Sequence, residues 1–189
     1  MIAATLSGAV LAGVLSAFLL IGRTSANASN YSELESQARK ALEIVGREAR
    51  MANSILGSNF SSTSITLGIP DSSSSSSSVA YQVTYTFDST NKIFTRTGPP
   101  LTDPTGASTT TVLVSGVQTI PNVTPFRYYR YITGNYDYNN TSSNLISMPG
   151  GNPVEVKQIE INFIAQRTNT TVATATNKVI SARFILRNK

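Results

Sequence analysis

The sequence contains no cysteine and no histidine among its 189 residues. Without cysteine the chain has no disulfide bond, no thiolate nucleophile and no cysteine metal site. Without histidine it lacks the side chain used most often as a general base or a metal ligand near neutral pH. These two absences remove the commonest routes to catalysis and to metal binding.

The remaining polar residues form no recognisable catalytic motif. The ten acidic residues are spread along the chain, and none of their spacings resembles a calcium loop or a paired-carboxylate active site. A phosphate-binding glycine motif and a nucleophile elbow are also absent. We therefore expect a protein that is not an enzyme and that uses no cofactor or metal.

Charge and proline are missing from the beginning of the chain. The first charged side chain is Arg23 and the first proline is Pro70. The stretch before Arg23, residues 2–22, is apolar and about 21 residues long, or roughly 31 Å as a helix. That length is enough to cross the hydrocarbon core of a bilayer.

Three interpretations of this apolar segment are open. A secretory signal would need a basic start and a shorter apolar run, although residues 26–28 could form a cleavage site. A single-pass anchor needs only the length and the apolar character. Small residues at Ala9, Gly13 and Ala17 favour a segment that packs closely against copies of itself. The residues expected in that packing between helices are Leu6, Ala9, Val10, Gly13, Ala17 and Phe18.

A second helical segment follows a polar stretch. From residue 31 to about residue 55, apolar residues such as Leu34, Ala38 and Val45 recur every three or four positions, which is the spacing of one helix face. The stretch between the segments, residues 22–30, is rich in poor helix formers, so we expect a hinge that bends or melts. A continuous helix enforced by its neighbours is the alternative. The hinge residues are Gly22, Thr24, Ser25, Asn27 and Ser29.

Beyond residue 55 the sequence has the alternation of strands. Residues 79–87 and 92–97 predict one hairpin, and residues 154–166 and 178–186 predict a second antiparallel pair. Shorter strands are predicted at residues 65–69, 110–117 and 126–132, a flexible serine loop at 72–78, and irregular or turn segments at 98–106, 134–153 and 168–177.

The apolar face of the second pair of strands has to be buried against another element. The second helical segment, from residue 31 to about residue 55, offers a matching apolar stripe. The expected fold class is therefore α+β, with a long N-terminal helix packed on an antiparallel sheet. The expected division is residues 1–23 for a helix that spans a membrane or packs against copies of itself, 24–55 for the hinge and the second helical segment (the stem), and 56–189 for the strand-rich head. The apolar face comprises Ile159, Ile161, Phe163, Ile180, Phe184 and Leu186.

The first 52 residues resemble type IV pilins with class III signals. Residues 2–8 (IAATLSG), 12–15 (AGVL) and 18–19 (FL) are similar to the pilin membrane segment. Residues 35–42 (ESQARKAL) and 47–52 (REARMA) are similar to the stem of W-like minor pilins and of J-type pseudopilins. The likeness beyond residue 52 is one of pattern only.

The resemblance implies a pilin-like structural subunit of an extracellular type IV pilus-like filament. It implies assembly with other pilins, a prepilin peptidase and an assembly machinery. The subunit would lie in the bacterial inner membrane before assembly and in a filament on the cell surface afterwards. A minor pseudopilin of a type II secretion system is the nearest alternative. A membrane-tethered adhesion or binding module that does not polymerise is an alternative from another class.

The sequence departs from the family at the processing site. The Gly-Phe-Thr-Leu-x-Glu motif is absent, together with its acidic fifth residue. Either Met1 is an internal start and about six family residues are missing before it, or Met1 is the mature end and Thr5 occupies the acidic position. We favour the first, because the second puts Arg23 earlier than the family usually places its first charge.

Charged residues on the stem have two interpretations. Glu35 with Arg39 is an acid-before-base pair four residues apart, which stabilises an exposed helix by a few tenths of a kcal/mol. The alternative is that such charges form bridges between neighbouring subunits. The residues considered for this role are Glu33, Glu35, Arg39 and Lys40.

A basic aromatic patch at Arg127, Tyr128, Tyr129 and Arg130 suggests contacts with phosphates and bases. The competing interpretation is a strand with alternating aromatic residues. The net charge of +5 is modest and dispersed over the chain. Nucleic acid is therefore not the expected partner.

Overall fold

The computed structural model describes residues 2–70, 79–131, 144–167 and 175–186. The predicted serine loop at residues 72–78 lies outside the described residues. So do the first half of the irregular segment 134–153 and most of the turn 168–177.

A single helix, α1 (Ile2–Met51), forms the N-terminal part of the chain. It runs without interruption through residues 22–30, where the sequence predicts a hinge. The Thr24 hydroxyl donates to the carbonyl oxygens of Leu20 (3.0 Å) and Ile21 (2.9 Å), so this poor helix former bonds back to the helix itself. The continuous helix describes the isolated subunit, and melting in a filament stays a prediction.

The described part of the head contains ten strands in two antiparallel sheets, where the sequence led us to expect one sheet. The strands are β1 (Ser54–Leu56), β2 (Ser64–Pro70), β3 (Val79–Asp88), β4 (Ile93–Gly98), β5 (Thr109–Ser115), β6 (Val117–Gln118), β7 (Phe126–Tyr129), β8 (Leu145–Ile146), β9 (Gln158–Arg167) and β10 (Thr176–Ile185). The first sheet follows chain order, and the second has the order β10-β9-β7-β8, with β6 also paired to β9.

Both predicted antiparallel pairs are confirmed. In the β3–β4 hairpin Phe87 lies opposite Phe94, and in the β9–β10 pair Phe163 lies opposite Ile180. Strict alternation fixes register in both cases, because a slip by one residue would turn every apolar side chain to the wrong face.

Three predicted strand limits are wrong. The strand expected from residue 154 begins at Gln158, because Asn152 accepts from the Val154 amide and opens a short 3₁₀ turn at Pro153–Glu155. The strand expected over residues 110–117 is divided at Gly116, whose φ is 72°; a Cβ there would lie 2.0 Å from a backbone oxygen. The strand expected over residues 126–132 ends at Tyr129.

One hydrophobic core joins the helix and both sheets. The Phe163 ring lies 5.0 Å from the Phe94 ring and 5.7 Å from the Phe87 ring, which connects the two sheets. Helix α1 contacts β10, β5, β2 and β9, so the predicted cover over the second pair is present. Phe184 is only half-buried and packs against Gly46, where a Cβ would lie 2.9 Å from its ring. The α+β fold class is therefore confirmed. The large and small apolar helix residues buried in this core are Leu34, Ala38, Ala41, Ile44, Val45 and Ala49.

Candidate assembly interface on the N-terminal helix

The first half of α1 extends beyond the head with its side chains exposed from Leu6 to Ser25. Large apolar side chains are included, such as Leu6 at 69% and Phe18 at 68% exposure. An 18-residue window of this helix has a mean hydropathy of 1.8, and none of it is buried. By length and composition the helix could cross a membrane. Soluble proteins rarely expose so large a contiguous apolar surface to water, and such a surface marks contact with a membrane or with another protein.

The predicted packing residues all lie on this free part of the helix. Ala9, Gly13 and Ala17 follow one another at four-residue steps along one face, as helical geometry requires. A Cβ at Gly13 would meet nothing within 4 Å, so the surface is open to another helix. The flanking residues Leu6, Val10 and Phe18 are exposed as well.

The helix joins the head at Ala26 and Asn27, where burial first appears. The Thr176 hydroxyl donates to the Asn27 side chain at 3.1 Å. This contact lies within the predicted hinge, so tertiary structure holds the C-terminal part of that stretch. Gly22, Thr24 and Ser25 are exposed, and Ser29 is exposed on the docked part.

Two ion pairs continue this attachment one to two turns further along the helix. Arg167 at the end of β9 pairs with Glu33, and Lys178 on β10 pairs with Glu35. The Lys178 ammonium also lies 5.5 Å from the centre of the Tyr31 ring. We call Asn27, Glu33 and Glu35 together with Arg167, Thr176 and Lys178 the stem clamp.

Electrostatics in the clamp favour the charged carboxylate. The hydrogen bond from Lys178, followed by that from Arg39, lowers the pKa of Glu35 below its ordinary value. Conversely, the hydrogen bond to Glu35 raises the pKa of Lys178. Both members of the Glu35–Lys178 pair are therefore charged at neutral pH.

The four charges considered for bridges between subunits are placed differently. Glu33 and Glu35 pair with cations of their own head, and Arg39 donates to Glu35 at 2.8 Å while remaining 80% exposed. The intrahelical pair Glu35–Arg39 is thus confirmed. Lys40 has no ion-pair partner among the described residues, so it is the charge of this set most available to another molecule.

A buried ion pair that the sequence analysis missed fastens the far end of the stem. Arg96 on β4 donates from Nη2 to Glu48 Oε1 at 2.6 Å, and from Nη1 to the Pro99 carbonyl at 2.9 Å. The Tyr85 hydroxyl donates to the other oxygen of Glu48. Glu48 follows Val45 by three residues and so belongs to the apolar stripe. A carboxylate at such a position was the signal that could have revealed the pair.

Burial changes the titration of the tyrosine in this cluster. Removal of the Tyr85 hydroxyl from water, and then the charge of Glu48, raises its pKa well above the ordinary value. The phenol therefore stays protonated and serves as a hydrogen-bond donor to the carboxylate. The cluster is structural, because its donors and acceptors bond to one another.

Three of the four side chains of the basic aromatic patch are engaged in contacts within the head. Tyr128 is buried, and its hydroxyl donates to the Ser61 and Ser64 carbonyls at 2.6 and 3.2 Å. Arg130 pairs with Glu155 at 2.6 Å. Tyr129 is buried beneath Arg183 and donates to Glu160. Of the four predicted residues, two tyrosines have no free ring face for a base and Arg130 is already neutralised.

Comparison with known proteins assigns no relative. No family model matches the sequence, and no curated protein matches it. Among the described residues there is also no group of three or more acidic side chains arranged to hold a metal ion. The features that bear on function are the exposed apolar helix and its attachment to the head.

Proposed function

We propose that this chain is a structural subunit of a type IV pilus-like filament and polymerises through its N-terminal helix. The observation that carries the proposal is the exposed apolar segment from Leu6 to Ile21, which continues without a break into a stem fastened to the head. The pilin resemblance of residues 2–52 supports the same reading. In this role the N-terminal helices of neighbouring copies pack against one another.

The energetics distinguish the membrane pool from the filament. In lipid, association of the helices gains little from the hydrophobic effect, because hydrocarbon already solvates leucine and phenylalanine. Once subunits are lifted into water, each Å² of apolar surface buried between helices gains about 25 cal/mol. Assembly thus needs an energy-driven machine to extract the subunit, after which the filament is stable.

Attachment of the stem to the head allows the arrangement of the helices to order the heads. The stem clamp at one end and the Glu48–Arg96 pair at the other fix the helix along the head. Because this attachment is rigid, the position of the stem half of the helix sets the position of the head. A regular surface of heads follows from regular packing of helices.

Electron microscopy of the surface fraction sheared from producing cells tests the proposal. We expect helical filaments labelled along their length by antibodies against the head. A chain recovered only as membrane-held monomers would support the non-polymerising binding module and overturn the filament. Labelled short assemblies confined to cells with a type II secretion system would instead identify a pseudopilin.

A further inference from the structure

Strand β5 forms an open edge of the first sheet. In the part of the chain that the structure describes, β4 is the only strand paired with it. Side chains at residues 109–112 are all exposed, including Val112 at 51%. Among the described residues, no backbone group beyond β4 bonds to residues 109–114; only the Ser115 amide is taken, by the Gln37 side chain at 3.3 Å. Most of the outer edge can therefore accept another strand.

The first half of the β5 edge lacks the usual protection against such pairing. Natural edge strands are kept apart by charges, prolines, short length or bulges. The sequence of β5, TTTVLVS, has no charge and no proline, and its bulge lies between Val112 and Val114, at the end of residues 109–112. In contrast, β1 and β8 have three and two residues, and β10 carries Lys178 and Arg183.

A cleft of about 520 Å³ separates β5 from the stem helix. Its described lining contains Lys40 and Arg96 and no acidic residue. Arg96 is neutralised by Glu48, whereas Lys40 has no ion-pair partner among the described residues. The cleft thus presents an uncompensated positive charge beside an open strand edge.

We propose that β5 and this cleft bind an extended segment of a partner protein, added as a strand beside β5, whose acidic side chain pairs with Lys40. Backbone hydrogen bonds to the edge supply affinity in this mode, and side-chain pockets supply selectivity. The added strand lies about 4.8 Å from β5. This site belongs to the head and does not depend on the filament proposal.

Among the described residues a second copy of this chain offers no complementary strand, so we assign the site to another protein. Among the described strands, the open edge of another copy's β5 is neutral and would bring no acid to Lys40. The charged side chains of β10 are both cations, Lys178 and Arg183, so this edge would also bring no acid to Lys40. The edges of β1 and β8 are too short to follow seven residues.

The test uses a labelled seven-residue peptide, acetyl-Thr-Glu-Val-Thr-Val-Glu-Thr-amide, and the full chain in detergent micelles. We expect saturable binding by fluorescence anisotropy and slower hydrogen exchange of backbone amides within residues 109–114. A matched peptide with lysine in place of both glutamates should bind about two- to fivefold more weakly, the range of an exposed ion pair. In Lys40→Glu the preference between the two peptides should reverse.

A second peptide control leaves the protein unchanged. The glutamate peptide N-methylated at alternate residues keeps every side chain but loses one edge of backbone donors, so it should not bind. Equal binding of the methylated peptide would overturn strand addition. Absence of binding, or binding without protection of residues 109–114, would overturn the site. Protection that rises with protein concentration without peptide would show a second copy as the occupant and also overturn it.

Discussion

Glu48 and Arg96 form a fully buried ion pair between the stem helix and strand β4, 48 residues apart in the chain. Their side chains are 0% and 5% exposed. The pair is satisfied from several sides, because Tyr85 donates to the carboxylate and the Pro99 carbonyl accepts from the guanidinium. A stem residue is therefore fixed to the first sheet by charge inside an apolar core.

Removal of one member of this pair should destabilise the head strongly. Glu48→Gln leaves the Arg96 charge buried without its counter-ion, and losses on the order of 3–5 kcal/mol follow from such an imbalance. Urea unfolding of the full chain in detergent, followed by circular dichroism, measures the loss. As the matched control, Glu155→Gln in the exposed pair with Arg130 should change the unfolding midpoint little.

The paired substitution separates charge imbalance from packing. Glu48→Met with Arg96→Met removes both charges and should recover most of the lost stability, since apolar replacements of a buried pair are often neutral. A Glu48→Gln protein as stable as Glu155→Gln would contradict the structural role given to the pair.

The stem clamp should loosen in acid. Because the folded pKa of Glu35 is lowered by Lys178 and Arg39, its stabilising contribution is present above the ordinary value of 4.5 and is lost as pH falls below it through the folded pKa. Hydrogen-exchange protection factors of residues 26–36, corrected for intrinsic exchange, should drop over that pH range and leave the β9–β10 pair protected.

Two variants test the origin of that acid response. Lys178→Ala removes the main partner of Glu35, so protection of residues 26–36 should already be reduced at neutral pH and depend less on acidification. Lys40→Ala, on the same helix and outside the clamp, should behave like the unmodified chain. Identical profiles for all three proteins would show that the clamp does not hold the stem.

Helix packing in the proposed filament should depend on the small face at Ala9, Gly13 and Ala17. Gly13→Leu places a large side chain where close approach of two backbones is expected, so filament number by electron microscopy should fall sharply. Gly8→Leu adds the same side chain about 140° around the helix and should have a smaller effect. Unfolding of the head should be unchanged in both, and normal filaments from Gly13→Leu would rule out this face as the contact.

The stretch from Gly22 to Ser25 should lose helical structure in the filament. It has poor intrinsic propensity, with Gly costing about 0.5–1 kcal/mol relative to Ala, and the head contacts begin only at Ala26 and Asn27. Cryo-electron microscopy of filaments measures this directly. Unbroken helical hydrogen bonding from Leu20 to Leu34 in that map would disprove the prediction.

Local pattern determined much of the architecture. The apolar run before Arg23 and the helical spacing from Leu34 specify a long helix, because both signals depend only on neighbouring residues. Strict alternation likewise gave the β3–β4 and β9–β10 pairs. The strand limits at Gly116 and Gln158 were missed, since a close backbone approach and a side-chain cap are contacts that periodicity does not record.

Tertiary structure alone decided which charges meet when they are far apart in the chain. Sequence spacing predicts the pair of Glu35 with Arg39, because both lie on one helix face. It does not predict Glu33 with Arg167, Glu35 with Lys178, or Glu48 with Arg96, since the second member of each pair comes from a strand far along the chain. The division into two sheets and the open edge at β5 arise in the same way, from how strands are ordered once the core closes around the helix.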